Sequence, residues 1–138
     1  MSKYGAIPNL IYNDANAAVS FLKTAFGFKE HGVYKDDNGK IFHAQLILGK
    51  ALVMINPFNP DTAFGKMINI PQNLNGYNTQ TPYFIIDNVD DHYQIAKANG
   101  AEIVMDIKDE DYGGRGYSCK DPEGNIWSFG SYNPYLEK

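Results

Sequence analysis

The residues most able to do chemistry are few and scattered. His43 and Gln45 stand two positions apart in Ile41-Phe42-His43-Ala44-Gln45-Leu46-Ile47-Leu48. That alternation puts both on one face of a strand with Ile41 and Ile47, opposite an apolar set of Phe42, Ala44, Leu46 and Leu48. An imidazole there can act as a general base or orient a ligand. A single strand histidine also serves simply as a hydrogen-bonded structural group. Arg115 can clamp a carboxylate or phosphate with two parallel hydrogen bonds, or pair with Asp109, Glu110 or Asp111 just upstream. Cys119 with His43 would make a nucleophile and base, yet a lone strand cysteine usually behaves as a small buried hydrophobe. Tyr83 and Tyr117 are the stacking candidates, whereas the parity of Trp127 points it into a core. His31 and His92 read as surface residues, in a loop and on a helix. The three histidines show no metal-binding spacing.

These side chains need a scaffold, and the chain supplies it twice. Asn13-Asp14 and Asp87-Asn88 each close a short apolar strand, 74 positions apart, and each can cap a following helix. Ala15, Val19, Leu22 and Phe26 share one helical face, and Val89, Tyr93, Ala96 and Gly100 repeat the pattern at the same offset. Gly27 and Gly100 mark the helix ends. Hairpin signals follow at Asp36-Asp37-Asn38-Gly39, at Gly49-Lys50 and at Asp121-Pro122-Glu123-Gly124. Strands are expected over 41–48, 51–56, 115–120 and 126–130. The fold class is therefore α+β, with two tandem βαβββ units. Unit one covers about 5–56, an Asn/Pro/Gly-rich connection about 57–80, and unit two about 81–132, all within a single domain over 1–138. Met67, Ile68 and Ile70 give the connection apolar residues to pack down. The fixed offset sets Arg115, Tyr117 and Cys119 in the places of Ile41, His43 and Gln45. Strand parity adds Asn9, Ile11, Tyr83, Ile85, Ile126 and Ser128 to the same mixed face.

Composition narrows the partners. The chain has 138 residues, 43% of them hydrophobic, which suffices for an ordinary single-domain core. Twelve basic against sixteen acidic residues leave a net charge of −4, so no basic stripe is available for nucleic acid. An acidic balance suits a neutral or cationic small molecule. Ten tyrosines and eight phenylalanines can line a pocket for a flat ligand as well as fill cores. One cysteine precludes an internal disulfide. No apolar run of membrane-spanning length occurs, and Met1-Ser2-Lys3-Tyr4-Gly5 lacks the apolar stretch of a secretory signal. A cytoplasmic location is the expectation.

Two local motifs then point to a family. Phe42-His43-Ala44-Gln45-Leu46 followed by Leu48-Gly49, and Gly114-Arg115-Gly116-Tyr117 followed by Asp121-Pro122-Glu123-Gly124-Asn125-Ile126-Trp127-Ser128-Phe129-Gly130, resemble the two unit endings of the glyoxalase/bleomycin-resistance/dioxygenase superfamily. The Asp-Pro-x-Gly-Asn turn is the more specific part, and the chain looks most like the PhnB-like or bleomycin-resistance-like branch. The resemblance implies a curled mixed sheet forming a cup, with helices on the convex side, and a homodimer. It also implies metal positions at the start of each unit's first strand and in each unit's last strand, which fall here on Ile7, Val53, Thr81 and Ser128. None offers the imidazole, carboxylate or thiolate that Zn, Ni or Fe(II) takes. No metal and no cofactor are therefore expected.

Two functions stay open. One is a binding protein that holds a cationic or aromatic molecule unchanged, with Asn9, His43, Gln45, Tyr83, Arg115, Tyr117 and Ser128 as contacts and antibiotic sequestration as the family precedent. The other is an enzyme of the same superfamily. It would be a metal-free lyase or isomerase with His43 as base and Arg115 stabilising anionic charge, or a lyase or dioxygenase with non-standard metal ligands.

Overall fold

The computed structural model describes residues 3–136. Met1 and Ser2, part of the segment read for a secretory signal, lie outside the described residues. Eight strands and two helices follow in the order β1 Asn9–Tyr12, α1 Ala15–Phe26, β2 Lys29–Lys35, β3 Ile41–Leu48, β4 Ala51–Pro57, β5 Tyr83–Ile85, α2 Val89–Ala98, β6 Glu102–Asp109, β7 Arg115–Lys120 and β8 Ile126–Gly130. The two βαβββ units give two four-stranded sheets with equivalent orders, β1-β4-β3-β2 and β5-β8-β7-β6. In each, the first strand runs parallel to the fourth, and the other pairs are antiparallel. The α+β class with tandem βαβββ units is as the repeat predicts.

The caps act as expected from their side chains. The Asp14 carboxylate accepts the Ala17 N–H at 3.0 Å, and Asn88 accepts the Asp91 N–H at 3.4 Å. Gly27 ends α1 in the left-handed region at φ 81°. Helix α2 stops one residue earlier than its glycine suggests, at Asn99, whose amide donates to the Ile95 carbonyl.

The chain divides into two compact units: residues up to Lys23 with Gly27–Ile70, and Thr24–Phe26 with Pro71 onward. The boundary cuts the connecting segment, which carries short 3-10 turns at Gly65–Met67 and Pro71–Asn73. Ile70 is buried there, whereas Met67 is exposed.

The first unit's core is mainly aliphatic: Leu10, Leu22, Leu46, Val53 and Ile55 are almost fully buried, with Tyr12 and Phe28. The second unit's core is aromatic. Phe26 lies 5.2 Å from Trp127 and 4.8 Å from Phe129, and Phe84 stacks at 5.4 Å on Trp127. The indole N–H of Trp127 donates to the buried Asp121 carboxylate, which also accepts the Glu123 and Asn125 N–H groups. That carboxylate thus knits the β7–β8 turn to the core.

Strand alternation departs from the sequence reading in two places. In β3, Ile41 is buried and Phe42 is 57% exposed, the reverse of expectation. Tyr34 pairs with His43 and Lys35 with Ile41, so Phe42 is the extra residue of a bulge and the alternation flips across it. In β7, Tyr117 and Cys119 face the core, and Ser118 faces the mixed side. The offset between units is 74 for Asn9/Tyr83 and Met54/Ser128, but 73 for Gln45/Ser118. The β3–β4 hairpin closes over Gly49-Lys50, whereas the β7–β8 hairpin closes over residues 121–125. Eight residues separate the paired Gln45 and Met54 and nine separate Ser118 and Ser128, and that one-residue difference in register exchanges the faces of β7.

Candidate ligand site

The second unit's mixed face is hollow. One residue row crosses the sheet from strand to strand: Tyr83 on β5 opposite Ser128 on β8, Ser128 opposite Ser118 on β7, and Ser118 opposite Met105 on β6. All four line a cavity of about 330 Å³. The Ser118 and Ser128 hydroxyls bond to each other at 2.7 Å, leaving a small polar patch on the floor. Walls rise from both sides: Tyr112 from the β6–β7 loop, Tyr132 from the segment after β8, and Asp106 and Glu110 near the end of β6.

The tyrosines are fixed in place. The Tyr83 hydroxyl donates to the Tyr132 carbonyl at 2.7 Å, and Tyr112 meets Tyr132 edge to face at 4.9 Å. Burial pushes the Tyr83 phenol upward, with Tyr112, Tyr132 and the Glu110 charge adding to the effect. Gly114, at φ 76°, lies directly against the backbone of Tyr132; a Cβ there would stand 2.5 Å from the Tyr132 nitrogen. Gly130 likewise makes room for the Tyr83 ring, since its Cβ would sit 2.8 Å from the hydroxyl.

Arg115 is already engaged. Its Nε and Nη2 donate to the Asp90 carboxylate at 3.2–3.3 Å, and Nη1 donates to Asp109 at 3.3 Å. These partners hold the guanidinium charged and raise its pKa. Asp109 was among the expected partners. Asp90, on α2, is supplied by the fold.

Tyr117 differs from its expected role as a stacking wall. It is 4% exposed, and its ring packs at 5.1 Å against Tyr93, although the residue still borders the cavity. Its hydroxyl donates to His92 Nδ1 at 2.6 Å, while His92 Nε2–H donates to the Phe26 carbonyl at 2.8 Å. His92 is thus a half-buried structural imidazole, not a surface residue. Desolvation lowers its pKa and the bond to the carbonyl opposes the shift. His31 lies exposed on β2 instead of in a loop. Cys119 is fully buried, and burial raises its thiol to about 12, which leaves little thiolate for nucleophilic work.

The first unit's mixed face is organised differently. Its row is Asn9–Met54–Gln45–Gly32, in register with the second unit's. The side chains form a one-way chain of hydrogen bonds. Gln45 Nε2 donates to His43 Nε2 at 3.2 Å, His43 Nδ1 to Asn56 Oδ1 at 2.8 Å, and Asn56 Nδ2 to Asn9 Oδ1 at 2.7 Å. In this arrangement His43 Nδ1 carries the hydrogen toward Asn56, and Nε2 faces the Gln45 amide. Tyr34 stacks on the imidazole at 5.9 Å.

The register also relocates one implied metal position. Ser128 corresponds to Met54, not to Val53, whose side chain is fully buried in the first core. Ile7 and the Met54 thioether in the first unit, and Thr81 and Ser128 in the second, offer no imidazole, carboxylate or thiolate. Among the described residues, no three His, Cys, Asp or Glu side chains gather to hold a metal ion. The residues present do not fit the metal that the superfamily's metal-dependent members use. No helix of the described residues is long and apolar enough to cross a membrane.

Comparison with known proteins agrees with this topology. The family model for the Glyoxalase/Bleomycin resistance protein/Dioxygenase superfamily matches residues 6–129, and the chain belongs to that superfamily. It is 33% identical over 123 residues to an uncharacterized protein of Mycobacterium bovis, covering 89% of this chain and 80% of that one. Among solved structures it is similar to TioX from Micromonospora sp. ML1, at 29% identity and a TM-score of 0.72, covering 94% of this chain and 100% of that chain. The fold is also shared with the fosfomycin resistance protein FosX of Listeria monocytogenes, solved with Mn(II) and sulfate, at 18% identity and a TM-score of 0.67 over 96% of this chain and 93% of that one.

Tyr112, Tyr132, Asp106 and Glu110 escape a reading by strand parity, whereas Asn56 shares the face of Met54 on β4 and is legible by alternation. Tyr112 and Tyr132 lie outside the strands, and Asp106 follows a register shift in β6. The only sequence signal at the loop is a tyrosine set directly before Gly113-Gly114.

Proposed function

We propose that this chain is a small-molecule-binding protein of the glyoxalase/bleomycin-resistance type, of the PhnB-like or bleomycin-resistance-like branch. It holds an organic, aromatic or cationic ligand in the second unit's cavity without a metal. It acts in the cytoplasm, as a homodimer of single-domain chains, by keeping its ligand out of solution. Antibiotics are the first class to test, since the fold is shared with a fosfomycin resistance protein.

The observation that carries this reading is the cavity itself, walled by Tyr83, Tyr112 and Tyr132 over a small polar floor, with Thr81 and Ser128 on its lining offering no strong metal donor. Such a lining, aromatic with a few placed polar groups, is the usual make-up of an organic-ligand pocket. Tyr83, Ser128 and Ser118 contact the ligand. Arg115 positions the wall through Asp90 and Asp109. His43 is held between Gln45 at 3.2 Å and Asn56 at 2.8 Å, which supports a structural imidazole in this reading.

The test is a melting-temperature screen of amines, aromatic cations and antibiotics, repeated with a chelator. A ligand of the native state raises the melting temperature by mass action, by about 2.7 kcal/mol of stability at a hundredfold excess over Kd. A chelator-insensitive rise supports the reading. No rise with any compound, or turnover that disappears in His43→Ala, contradicts it.

A further inference from the structure

We propose that the cavity's recognition element is an aromatic cage for an alkylammonium group, formed by Tyr83, Tyr112 and Tyr132 and faced by Glu110 and Asp106. The inference rests on the small-molecule-binding reading above and names the chemistry of its ligand.

Geometry comes first. Tyr112 and Tyr132 meet edge to face, at 86° with centroids 4.9 Å apart, so the two rings brace one another at one side of the cavity. Tyr83 is tied to the same side by its bond to the Tyr132 carbonyl. The loop bearing Tyr112 is seated on Tyr132 by Gly114, the only residue type that tolerates both φ 76° and so close a backbone approach. Three tyrosine rings lining one cavity offer electron-rich surface to a cation through their quadrupoles, best when its charge is spread and weakly hydrated, as in a methylated ammonium.

Charge agrees with geometry. Arg115, the strongest base on the lining, is matched by two carboxylates, Asp90 and Asp109. Of the remaining charged groups on the cavity wall, Asp106 and Glu110 outnumber Lys108. The neighbourhood is therefore net negative. The aromatic lining adds an attraction that a compact, strongly hydrated ammonium exploits less well than a larger alkylated one. The Tyr83 phenol stays protonated at neutral pH because burial disfavours its anion.

The experiment is calorimetric titration of the full chain with benzyltrimethylammonium and choline. Benzyl alcohol and 3,3-dimethyl-1-butanol are the uncharged counterparts, and benzylphosphonate the anionic one. The cations are expected to bind roughly tenfold tighter than their uncharged counterparts. Tyr112→Ala should remove most of that preference and Tyr112→Phe should keep it. Glu110→Gln should weaken the cations and leave benzyl alcohol unchanged. Tyr112 is 61% exposed, so its variants should retain the native circular-dichroism melt. Equal binding of cations and neutral compounds, or preference for the phosphonate, overturns the cage but leaves a binding pocket. If none of the five compounds binds, the cage fails; if the wider screen also finds no ligand, the binding reading fails with it.

Discussion

The two units carry the same topology and opposite kinds of surface. Row for row, Asn9–Met54–Gln45 in the first unit answers Tyr83–Ser128–Ser118 in the second. In the first, amide and imidazole side chains satisfy one another in a single directed chain, which polarises and rigidifies it. In the second, small hydroxyls leave space, and tyrosines from outside the strands wall it. The cores diverge as well, aliphatic against aromatic. A duplicated fold fixes where side chains point, while what each face does is decided by a few substitutions on it.

The largest expected effect sharpens the contrast between cores. Trp127→Ala removes the centre of the second unit's aromatic cluster and leaves buried Asp121 without its indole donor. It should cost about 3–5 kcal/mol in urea unfolding. Leu22→Ala, in the first core, should cost about 2–5 kcal/mol. Gly114→Ala comes next, because it forces a Cβ against the Tyr132 backbone at a positive φ. A loss of about 1–3 kcal/mol is expected, together with loss of ligand binding as the Tyr112 loop lifts.

A pH effect follows from His92. Its folded pKa lies below the ordinary value of 6.5, so below that pH the unfolded chain binds the proton first. Stability should therefore fall as pH drops below about 6.5, by at most about 1.4 kcal/mol per pH unit from this group, and level off below the folded pKa. Replacing His92 by Gln should flatten that slope in denaturant melts taken from pH 7.5 to 5. The smallest effect belongs to the first unit's polar chain. Gln45→Ala should change stability by no more than about 1 kcal/mol. It should alter ligand affinity less than Tyr112→Ala does. The reverse order would place recognition on the first unit and break the comparison.

Much of the scaffold is legible in the chain. Asp14 and Asn88 announce the two helices because their side chains have one obvious use, and the glycines after each helix have another. The 74-residue offset carries β1 onto β5 and β4 onto β8. It fails at β7 because hairpin length is a local property that the repeat does not conserve. The flip of Tyr117 and Ser118 follows from that single residue. Phe42 fails for a related reason, since a bulge counts one residue that parity does not expect. The site is less legible. Tyr83 and Ser128 are found by alternation, but Tyr112 and Tyr132 reach the cavity from loops, where no period applies. Arg115 meets Asp90 only because α2 and β7 are brought together by the fold.

The most direct measurement is a ¹H–¹⁵N amide titration of the full chain with the best organic cation from the screen, in the presence of a chelator. Saturable shifts concentrated at Ser118, Ser128 and Tyr132 are predicted, with Gln45 and Met54 little changed. Shifts centred on Gln45 and Met54, or binding that the chelator abolishes, would contradict a metal-free ligand site on the second unit.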